Sequence, residues 1–277
     1  MKTSQKDLYQ KRFLAECYPD LESLGVGYFK GHQGLIPSAA EILACIARLI
    51  DLSRGIDRIV DVGCGPNPVN VQQLLKMGYD AIGVEPLAPF VATAKESLGD
   101  ANRVYHGSAE LLPLADASVR VVLMQSILEH VDSPQLTLAE AYRVLVPDGV
   151  LYVSTTNRHR VSLTGDNGEF RKRFYNWLPA VVKESYVFRQ LHYDPRLANF
   201  SPRPAVHWFT YSELCKLGRS VGFAQFYSKL DLADPNNVYA QRSVWRRLLL
   251  RSVQNSVWLR SLALTQISHV IMWKRAH

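Results

Sequence analysis

Short apolar runs that end in turn residues recur between residues 58 and 155 of the chain. The runs at 58–62, 79–84, 118–124 and 150–155 are rich in valine and isoleucine, and each is followed by glycine or polar residues. Such runs are too short for typical helices, and their composition is that of strands buried on both faces of a parallel sheet. The pattern predicts an α/β fold.

Apolar residues at helical spacing predict the helices around these strands. Residues 37–51 begin with Ser38 as the expected N-cap, and residues 210–221 begin with Thr210 and Glu213, which have the spacing of a capping box. Further helices are predicted at 4–17 and 135–145, and two further strands at 223–230 and 267–274. The helices within residues 1–57 are expected to cover an edge of the sheet.

A glycine turn follows the first strand. Gly63 and Gly65 allow the backbone to bend and to approach a ligand without an intervening Cβ, and a helix predicted from Val69 directs its free N–H groups to the same place. Glu85 ends the second strand, 22 residues beyond Gly63. A carboxylate at this distance is placed to accept hydrogen bonds from the ribose hydroxyls of an adenosine.

The turn differs from the sites that bind pyrophosphate. A dinucleotide fingerprint has a third glycine for helix packing, whereas this chain has Pro68 at that position. There is also no P-loop lysine. An adenosine ligand without a pyrophosphate fits the turn better.

At these residues the chain resembles the class I S-adenosylmethionine (SAM) dependent methyltransferases, whose first motif reads acidic-x-Gly-x-Gly. The resemblance extends in order over residues 58–157, through Gly107-Ser-Ala-Glu-Leu-Leu-Pro113, the segment 125–131 and the turn Val146-Pro-Asp-Gly149. It implies a Rossmann-like seven-stranded sheet with the last strand antiparallel and helices on both faces. It also implies SAM as the cofactor.

The resemblance assigns the cofactor to residues at the ends of the first four strands. Ser108 stands where the family commonly has aspartate, so the backbone N–H of Ala109 is the expected contact with the adenine ring, and Cys64 is expected to contribute only its backbone. The full set of implied cofactor residues is Asp61, Gly63, Cys64, Gly65, Asn67, Glu85, Pro86, Ser108, Ala109, Glu110 and Gln125.

A hydroxyl acceptor needs a general base, and histidine is suited to this role near neutral pH. His130, expected beside the reacting methyl, is the first candidate, with Glu129 orienting it; the alternative is that His130 only shapes the pocket. His192 and His207 are further candidates. The related quinone O-methyltransferases carry Glu-x-x-Glu-His here, but Ser126 replaces the first glutamate, and no metal is predicted.

Residues 158–207 are longer than the usual connection after the fifth strand, and they interleave eight aromatic residues with arginine and lysine. A segment that leaves the carboxyl end of a strand is placed to cap the acceptor. Alternatively, the aromatic residues form a small core of their own. The net charge is −5 over residues 1–157 and +5 over 158–207, which favours an acidic acceptor or surface.

The segment 241–277 carries seven basic residues and no acidic residue. Within it, Trp245, Leu249, Val253 and Val257 have helical spacing. We expect this stripe to pack on the sheet, while contact with an anionic membrane surface is the alternative. Nucleic acid is disfavoured because the chain contains no recognised RNA-binding module.

Composition adds few constraints on function. The four cysteines are widely spaced, which predicts neither a zinc site nor a disulfide framework. The polar N-terminus and the absence of a long apolar run predict a cytoplasmic protein, with peripheral membrane contact left open. The predicted regions are a helical cover at 1–57, a cofactor core at 58–157, an acceptor cap at 158–207, and the C-terminal part of the same α/β domain at 208–277.

The predicted function is SAM-dependent O-methylation of an acidic small molecule, a sugar or a lipid-linked glycan intermediate. A quinone-type or lipid-type hydroxyl is the alternative acceptor. The other two alternatives are a noncatalytic SAM-binding protein and a peripheral membrane module. The sequence contains no signal for an oligomeric state.

Overall fold

The structure is a computed structural model of the 277-residue chain. It describes residues 38–155, 157, 174, 178–179, 182, 207–232, 244–265 and 269–275. The predicted helix at 4–17 and almost all of the predicted cap at 158–207 lie outside the described residues.

The strands form one sheet of seven in the order β3-β2-β1-β4-β5-β7-β6. The first five are parallel, and β7 is antiparallel to both β5 and β6. The strands are β1 Arg58–Val62, β2 Asp80–Glu85, β3 Val104–His106, β4 Val119–Gln125, β5 Leu145–Ser154, β6 Gln225–Tyr227 and β7 His269–Trp273. The predicted Rossmann-like sheet is confirmed.

Helices lie on both faces of the sheet. They are α1 Ala39–Ile46, α2 Val69–Lys76, α3 Ala88–Leu98, α4 Pro134–Val144, α5 Tyr211–Ser220, α6 Lys229–Leu232, α7 Val244–Asn255 and α8 Val257–Leu264. The predicted N-caps of α1 and α5 are both present: the side chains of Ser38 and Thr210 each accept a hydrogen bond from the backbone N–H three residues on, and Glu41 and Glu213 complete the two capping boxes.

Two apolar clusters cover the two faces of the sheet. One joins Val60 and its strand neighbours to residues of α4 and α5, and the other joins Ile59 and its neighbours to α1, α2 and α3. Consecutive residues of β1 are therefore buried on opposite faces. This two-sided burial explains why the strands read as continuous apolar runs.

The sixth strand is shorter than the predicted 223–230 because a local cap ends it. The Ser228 backbone N–H donates to Asp231 Oδ2 at 2.6 Å, and the Asp231 N–H donates to Ser228 Oγ at 3.4 Å. This reciprocal arrangement starts the short helix α6 directly after β6. The serine and aspartate spacing at 228–231 is the sequence signal for it.

The segment 244–264 forms two helices rather than one. Ser256 separates α7 from α8, and its side chain accepts a hydrogen bond from the Leu259 N–H as the N-cap of α8. Trp245 is 81% exposed, and Leu249 and Val257 are exposed as well. The expectation that this stripe packs on the sheet is therefore wrong. Among the described helices, none has a stretch long and apolar enough to span a bilayer.

Candidate functional site

The turn after β1 takes a backbone conformation that requires its glycines. Gly63 has φ +73° and Gly65 has φ +68°, both in the left-handed region that favours glycine. The Gly63 N–H donates to the Val84 carbonyl at 2.7 Å, which ties the turn to β2. A Cβ on Gly63 would lie 2.1 Å from Ile127 Cδ1, so the space above this residue is already filled by a side chain from the segment after β4.

Glu85 lies beside this turn and holds it. Its side chain is buried, Oε2 accepts a hydrogen bond from the Gly65 N–H at 3.0 Å, and Oε1 accepts one from the Leu87 N–H at 3.1 Å. A carboxylate offers about four lone-pair positions, so each oxygen retains one acceptor position after these bonds. Glu85 is therefore able to accept two further hydroxyl hydrogen bonds.

Asp61 belongs to a second buried network at the same edge. Asn70 Nδ2, on the first turn of α2, lies 3.3 Å from both carboxylate oxygens of Asp61 and 2.6 Å from Gln125 Oε1. The amide thus joins the carboxyl ends of β1 and β4. Asn70 was not predicted; its place as the second residue of the helix after the glycine turn is the signal that could have identified it.

Burial raises the pKa of both carboxyls to about 7. For Asp61 the hydrogen bond from Asn70 opposes this rise and the nearby Glu85 adds to it; for Glu85 the backbone N–H groups of Leu87 and Gly65 oppose it. Two buried carboxylates at one strand edge favour a cationic ligand, because a nearby positive charge offsets their desolvation. A ligand that combines a positive charge with hydroxyl groups would fit this edge.

Cys64 has a packing role in the turn. A Cβ on Gly83 of β2 would lie 2.5 Å from Cys64 Sγ, so the thiol occupies the space that this glycine leaves open. Burial raises the pKa of the thiol, which keeps it protonated and unreactive. This packing agrees with the expectation that Cys64 offers the ligand only its backbone.

The segment after β3 lies next to Glu85. The Gly107 N–H donates to the Glu85 carbonyl at 3.2 Å, Ser108 forms a bridge with Leu111, and Ala109 is buried. The Glu110 carboxylate accepts from the Asp132 N–H at 2.8 Å, so its side chain is directed to the turn after β4.

Two other predicted cofactor residues contribute backbone geometry. The Pro86 carbonyl lies 2.9 Å from His106 Nε2, which joins the ends of β2 and β3. Asn67 is exposed, and its carbonyl accepts from the Val69 N–H at 2.8 Å where α2 begins.

The segment after β4 contains a strained residue that was not predicted. Ser126 has φ +55°, which is unfavourable for a residue with a Cβ, and its N–H donates to the Ser154 carbonyl at 2.8 Å. Strained non-glycine residues cluster at functional sites. This one directs the chain into the turn that carries Glu129 and His130.

His130 lies in that turn, and its N–H donates to the Ile127 carbonyl at 2.9 Å. Glu129 is buried, and its backbone carbonyl accepts from the His207 N–H at 3.3 Å. His207 Nε2 lies 3.0 Å from the Val131 carbonyl, so His207 fastens residues 207–209 to the turn. His192 lies outside the described residues. In the described part of the chain, no three His, Cys, Asp or Glu side chains converge as metal ligands.

The strand order of the sheet, its antiparallel β7 and the left-handed glycine turn after β1 are those of the Rossmann-like methyltransferase fold. Residues 60–153 match the family model described as a methyltransferase domain. The region over residues 60–153 is therefore a class I SAM-dependent methyltransferase domain. For this domain the predicted methyltransferase type and SAM as its cofactor are confirmed.

Curated relatives agree over part of their length. A ubiquinone biosynthesis O-methyltransferase of Azorhizobium caulinodans is 36% identical over 172 residues, which cover 61% of this chain and 58% of the relative. A ubiquinone biosynthesis O-methyltransferase of Methylococcus capsulatus is 32% identical over 105 residues, covering 36% of this chain and 44% of the relative. The chain thus spans less than two thirds of the length of these relatives.

Among solved structures, the phosphoethanolamine N-methyltransferase 2 of Haemonchus contortus in complex with SAM is similar in fold. The TM-score is 0.56 at 17% identity, over 99% of this chain and 60% of that chain. At this identity the similarity establishes the fold alone.

Proposed function

We propose that this chain transfers the methyl group of SAM to a hydroxyl oxygen of a small-molecule or lipid-linked acceptor. One observation carries the proposal: the buried Glu85 carboxylate is bound to the Gly65 and Leu87 N–H groups and has an acceptor position left on each oxygen. These positions suit the two ribose hydroxyls of the cofactor. SAM, when bound, supplies an activated methyl group on a sulfonium.

The cofactor residues bind and orient rather than react. Glu85 accepts the ribose hydroxyls. Ala109, two residues after the Gly107 N–H that donates to the Glu85 carbonyl, is proposed to offer its backbone N–H to the adenine ring. Asp61 supplies buried negative charge at the end of β1. The other predicted cofactor residues surround the same edge of the sheet. They are Gly63, Cys64, Gly65, Asn67, Pro86, Ser108, Glu110 and Gln125.

His130 is the proposed general base. Methyl transfer requires the acceptor oxygen to lie in line with the bond that breaks, about 3 Å from the methyl carbon, so positioning supplies much of the rate. The acceptor proton must also leave. His130 follows β4 by five residues at the cofactor edge, and imidazole accepts a proton near neutral pH. The buried neighbour Glu129 is proposed to orient it.

Oxygen is the favoured acceptor atom because both curated relatives are named O-methyltransferases. The acceptor itself is proposed as a class. An acidic small molecule, a sugar or a lipid-linked glycan agrees with the net +5 charge of residues 158–207, and a quinone-type hydroxyl agrees with the names of the relatives. In the proposed arrangement 158–207 caps this acceptor.

The proposal is tested with tritium-labelled SAM and cell extracts that are supplied as a source of acceptors. We expect label to enter a product that gains about 14 mass units, with one S-adenosylhomocysteine formed for each methyl transferred. The Glu85→Ala variant should lose this transfer, whereas Glu96→Ala, at an exposed position of α3, should retain it. A protein that binds SAM but forms no S-adenosylhomocysteine with any extract would be the noncatalytic SAM-binding alternative.

A further inference from the structure

The helices α7 and α8 follow each other directly at Ser256 and contact each other, and polar groups attach them to the rest of the fold; we call this helix pair the α7–α8 hairpin. Gln254 Nε2 donates to the Leu230 carbonyl at 2.8 Å, Arg260 pairs with Asp231 at 2.5 Å, and Asn157 Nδ2 donates to the Leu264 carbonyl at 3.3 Å. These anchors come from the face of the hairpin that meets α6 and the end of β5. The inner face is therefore fixed by hydrogen bonds and an ion pair.

The opposite face is apolar and exposed, which reverses the usual arrangement of a surface helix. Trp258 is 86% exposed and Leu262 66%, and both lie one turn apart on α8. Trp245, Leu248 and Leu249 occupy one stripe of α7. We call this surface the outer face, and its residues are Trp245, Leu248, Leu249, Val257, Trp258 and Leu262.

Scattered apolar residues on a surface are ordinary, but six large exposed apolar side chains on two consecutive helices indicate an interaction site. Tryptophan is the residue that membrane interfaces select, because its ring is apolar and its N–H remains able to hydrogen-bond. Two of the chain's five tryptophans lie in the outer face, each more than four-fifths exposed.

Charge identifies the kind of surface that the outer face fits. Residues 241–277 contain seven basic residues and no acidic residue, and Arg251 is exposed on α7 between the two tryptophans in sequence. A segment whose charged residues are all basic and whose exposed side chains include large apolar ones complements anionic lipid headgroups over acyl chains. A second copy of the same basic hairpin would instead bring like charges together.

The hairpin also lies at the edge of the sheet that carries the cofactor residues. Asn157 follows the carboxyl end of β5, α6 follows the carboxyl end of β6, and β7 begins at that edge because His269 pairs with Ser154. The three polar contacts described above are made there, at the β6 side of the site.

We propose that the outer face of the α7–α8 hairpin docks on the surface of an anionic lipid bilayer. Docking of this kind inserts Trp245 and Trp258 to the level of the headgroups and leaves the sheet outside the hydrocarbon. It is independent of methyl transfer. If the chain also has the proposed function, docking on a bilayer favours the lipid-linked and quinone-type acceptors, because these acceptors reside in the same bilayer.

Cosedimentation with vesicles tests this docking. The full chain should sediment with vesicles of phosphatidylcholine and phosphatidylglycerol, should not sediment with phosphatidylcholine alone, and should be released at about 1 M salt, where the Debye length is about 3 Å. The variant Trp245→Ser Trp258→Ser should bind the mixed vesicles about tenfold or more weakly, since it removes two large apolar side chains from the contact.

The matched control is Ile56→Ser Leu136→Ser, which removes two exposed apolar residues away from the hairpin and should bind as the original chain does. SAM titrations should give the same affinity for all three proteins, so that a failure of docking is distinguished from a failure of the cofactor site. Equal vesicle binding by the tryptophan variant, or no binding by the original chain at low salt, would overturn the proposal. So would light scattering that shows a dimer which the tryptophan substitutions dissociate.

Discussion

The cofactor edge of the sheet and the α7–α8 hairpin depart from ordinary packing in opposite directions. At the cofactor edge, Asp61 and Glu85 are carboxyls buried at the ends of β1 and β2. On the hairpin, Trp245 and Trp258 are large apolar side chains exposed to solvent. Each arrangement lowers the stability of the isolated protein, because buried charge is desolvated and exposed apolar surface orders water.

The difference indicates which kind of partner would stabilise each region. A ligand that brings positive charge and hydroxyl donors would stabilise the buried carboxyls. A surface that removes the tryptophans from water would stabilise the hairpin. Substitutions in the two regions are therefore expected to have different effects on stability, on cofactor binding and on turnover.

Loss of the proposed base is expected to have the largest effect. In His130→Ala, kcat with the acceptor found by the labelling screen should fall about 10²- to 10⁴-fold, which is the usual contribution of a general base, while SAM affinity is unchanged. The pH profile of kcat, measured at saturating SAM so that cofactor binding does not contribute, should also lose its acidic limb.

The comparison variant is His207→Ala, which breaks the contact with the Val131 carbonyl but keeps His130. It should lower the thermal midpoint while retaining the acidic limb of the pH profile. If His130→Ala keeps full turnover, His130 only shapes the pocket.

Adding a methyl group to the glycine turn should have the next largest effect. Gly63→Ala forces a Cβ into a left-handed conformation and against Ile127 Cδ1, so the free energy of unfolding should fall by about 2 to 3 kcal/mol. Urea denaturation measures this change.

Gly99→Ala is the matched control, because Gly99 has φ +67° at the end of α3 with nothing within 4 Å of the added Cβ. Only the backbone strain, about 1 to 2 kcal/mol, is expected there. If Gly63→Ala and Gly99→Ala lower the free energy of unfolding equally, the Ile127 side chain moves aside at no cost.

Neutralising Asp61 should stabilise the free protein above neutral pH. Its pKa, about 7 when folded, is above the value near 4 of an unfolded chain, so the folded state holds a proton that the unfolded state has released. Stability therefore falls as pH rises between about 4 and 7 and stays low above it. Asp61→Asn should raise the unfolding free energy at pH 8 by on the order of 1 kcal/mol, with no gain at pH 4.

The same substitution should weaken SAM binding, because it removes the negative charge that complements the cofactor. For the original chain, SAM affinity should rise with pH up to about neutrality as Asp61 and Glu85 ionise. If Asp61→Asn is neither more stable at pH 8 nor weaker in SAM binding, Asp61 is not a carboxylate whose unfavourable burial is offset by the cofactor.

Substitutions in the outer face should have the smallest effect on the free energy of unfolding. Trp258→Ser should change the free energy of unfolding by less than about 0.5 kcal/mol, because an exposed side chain makes few contacts that folding creates. Arg260→Ala, which removes the pair with Asp231 on the inner face, should cost up to about 1 kcal/mol. If Trp258→Ser lowers the free energy of unfolding more than Arg260→Ala does, the inner and outer faces of the hairpin have been assigned the wrong way round.

These two regions also show what could be predicted from the sequence. The strands, the glycine turn and Glu85 were predictable because short-range spacing determines them: the apolar runs set β1 and β2, and the parallel sheet brings their carboxyl ends together. The fold class and cofactor followed from that spacing and from the ordered resemblance over residues 58–157.

The other features depend on contacts between residues distant in sequence. Asn70 gains its role only because α2 places its amide between Asp61 and Gln125. The stripe at Trp245 and Leu249 has the periodicity of a packed helix, but periodicity alone does not show which face of the helix contacts the protein. The contacts of Gln254 and Arg260 with α6 determine which face is turned inward.

The most direct test of the central claim is a calorimetric titration of SAM into the original chain, Glu85→Ala and Glu96→Ala, with thermal unfolding run on each to confirm that it is folded. We expect the original chain and Glu96→Ala to bind SAM with equal affinity. Glu85→Ala should bind about a hundredfold more weakly, because it removes the charged acceptor of two ribose hydrogen bonds. Equal binding by Glu85→Ala, or no binding by the original chain, would contradict the assignment of the adenosyl site to the carboxyl ends of β1 and β2.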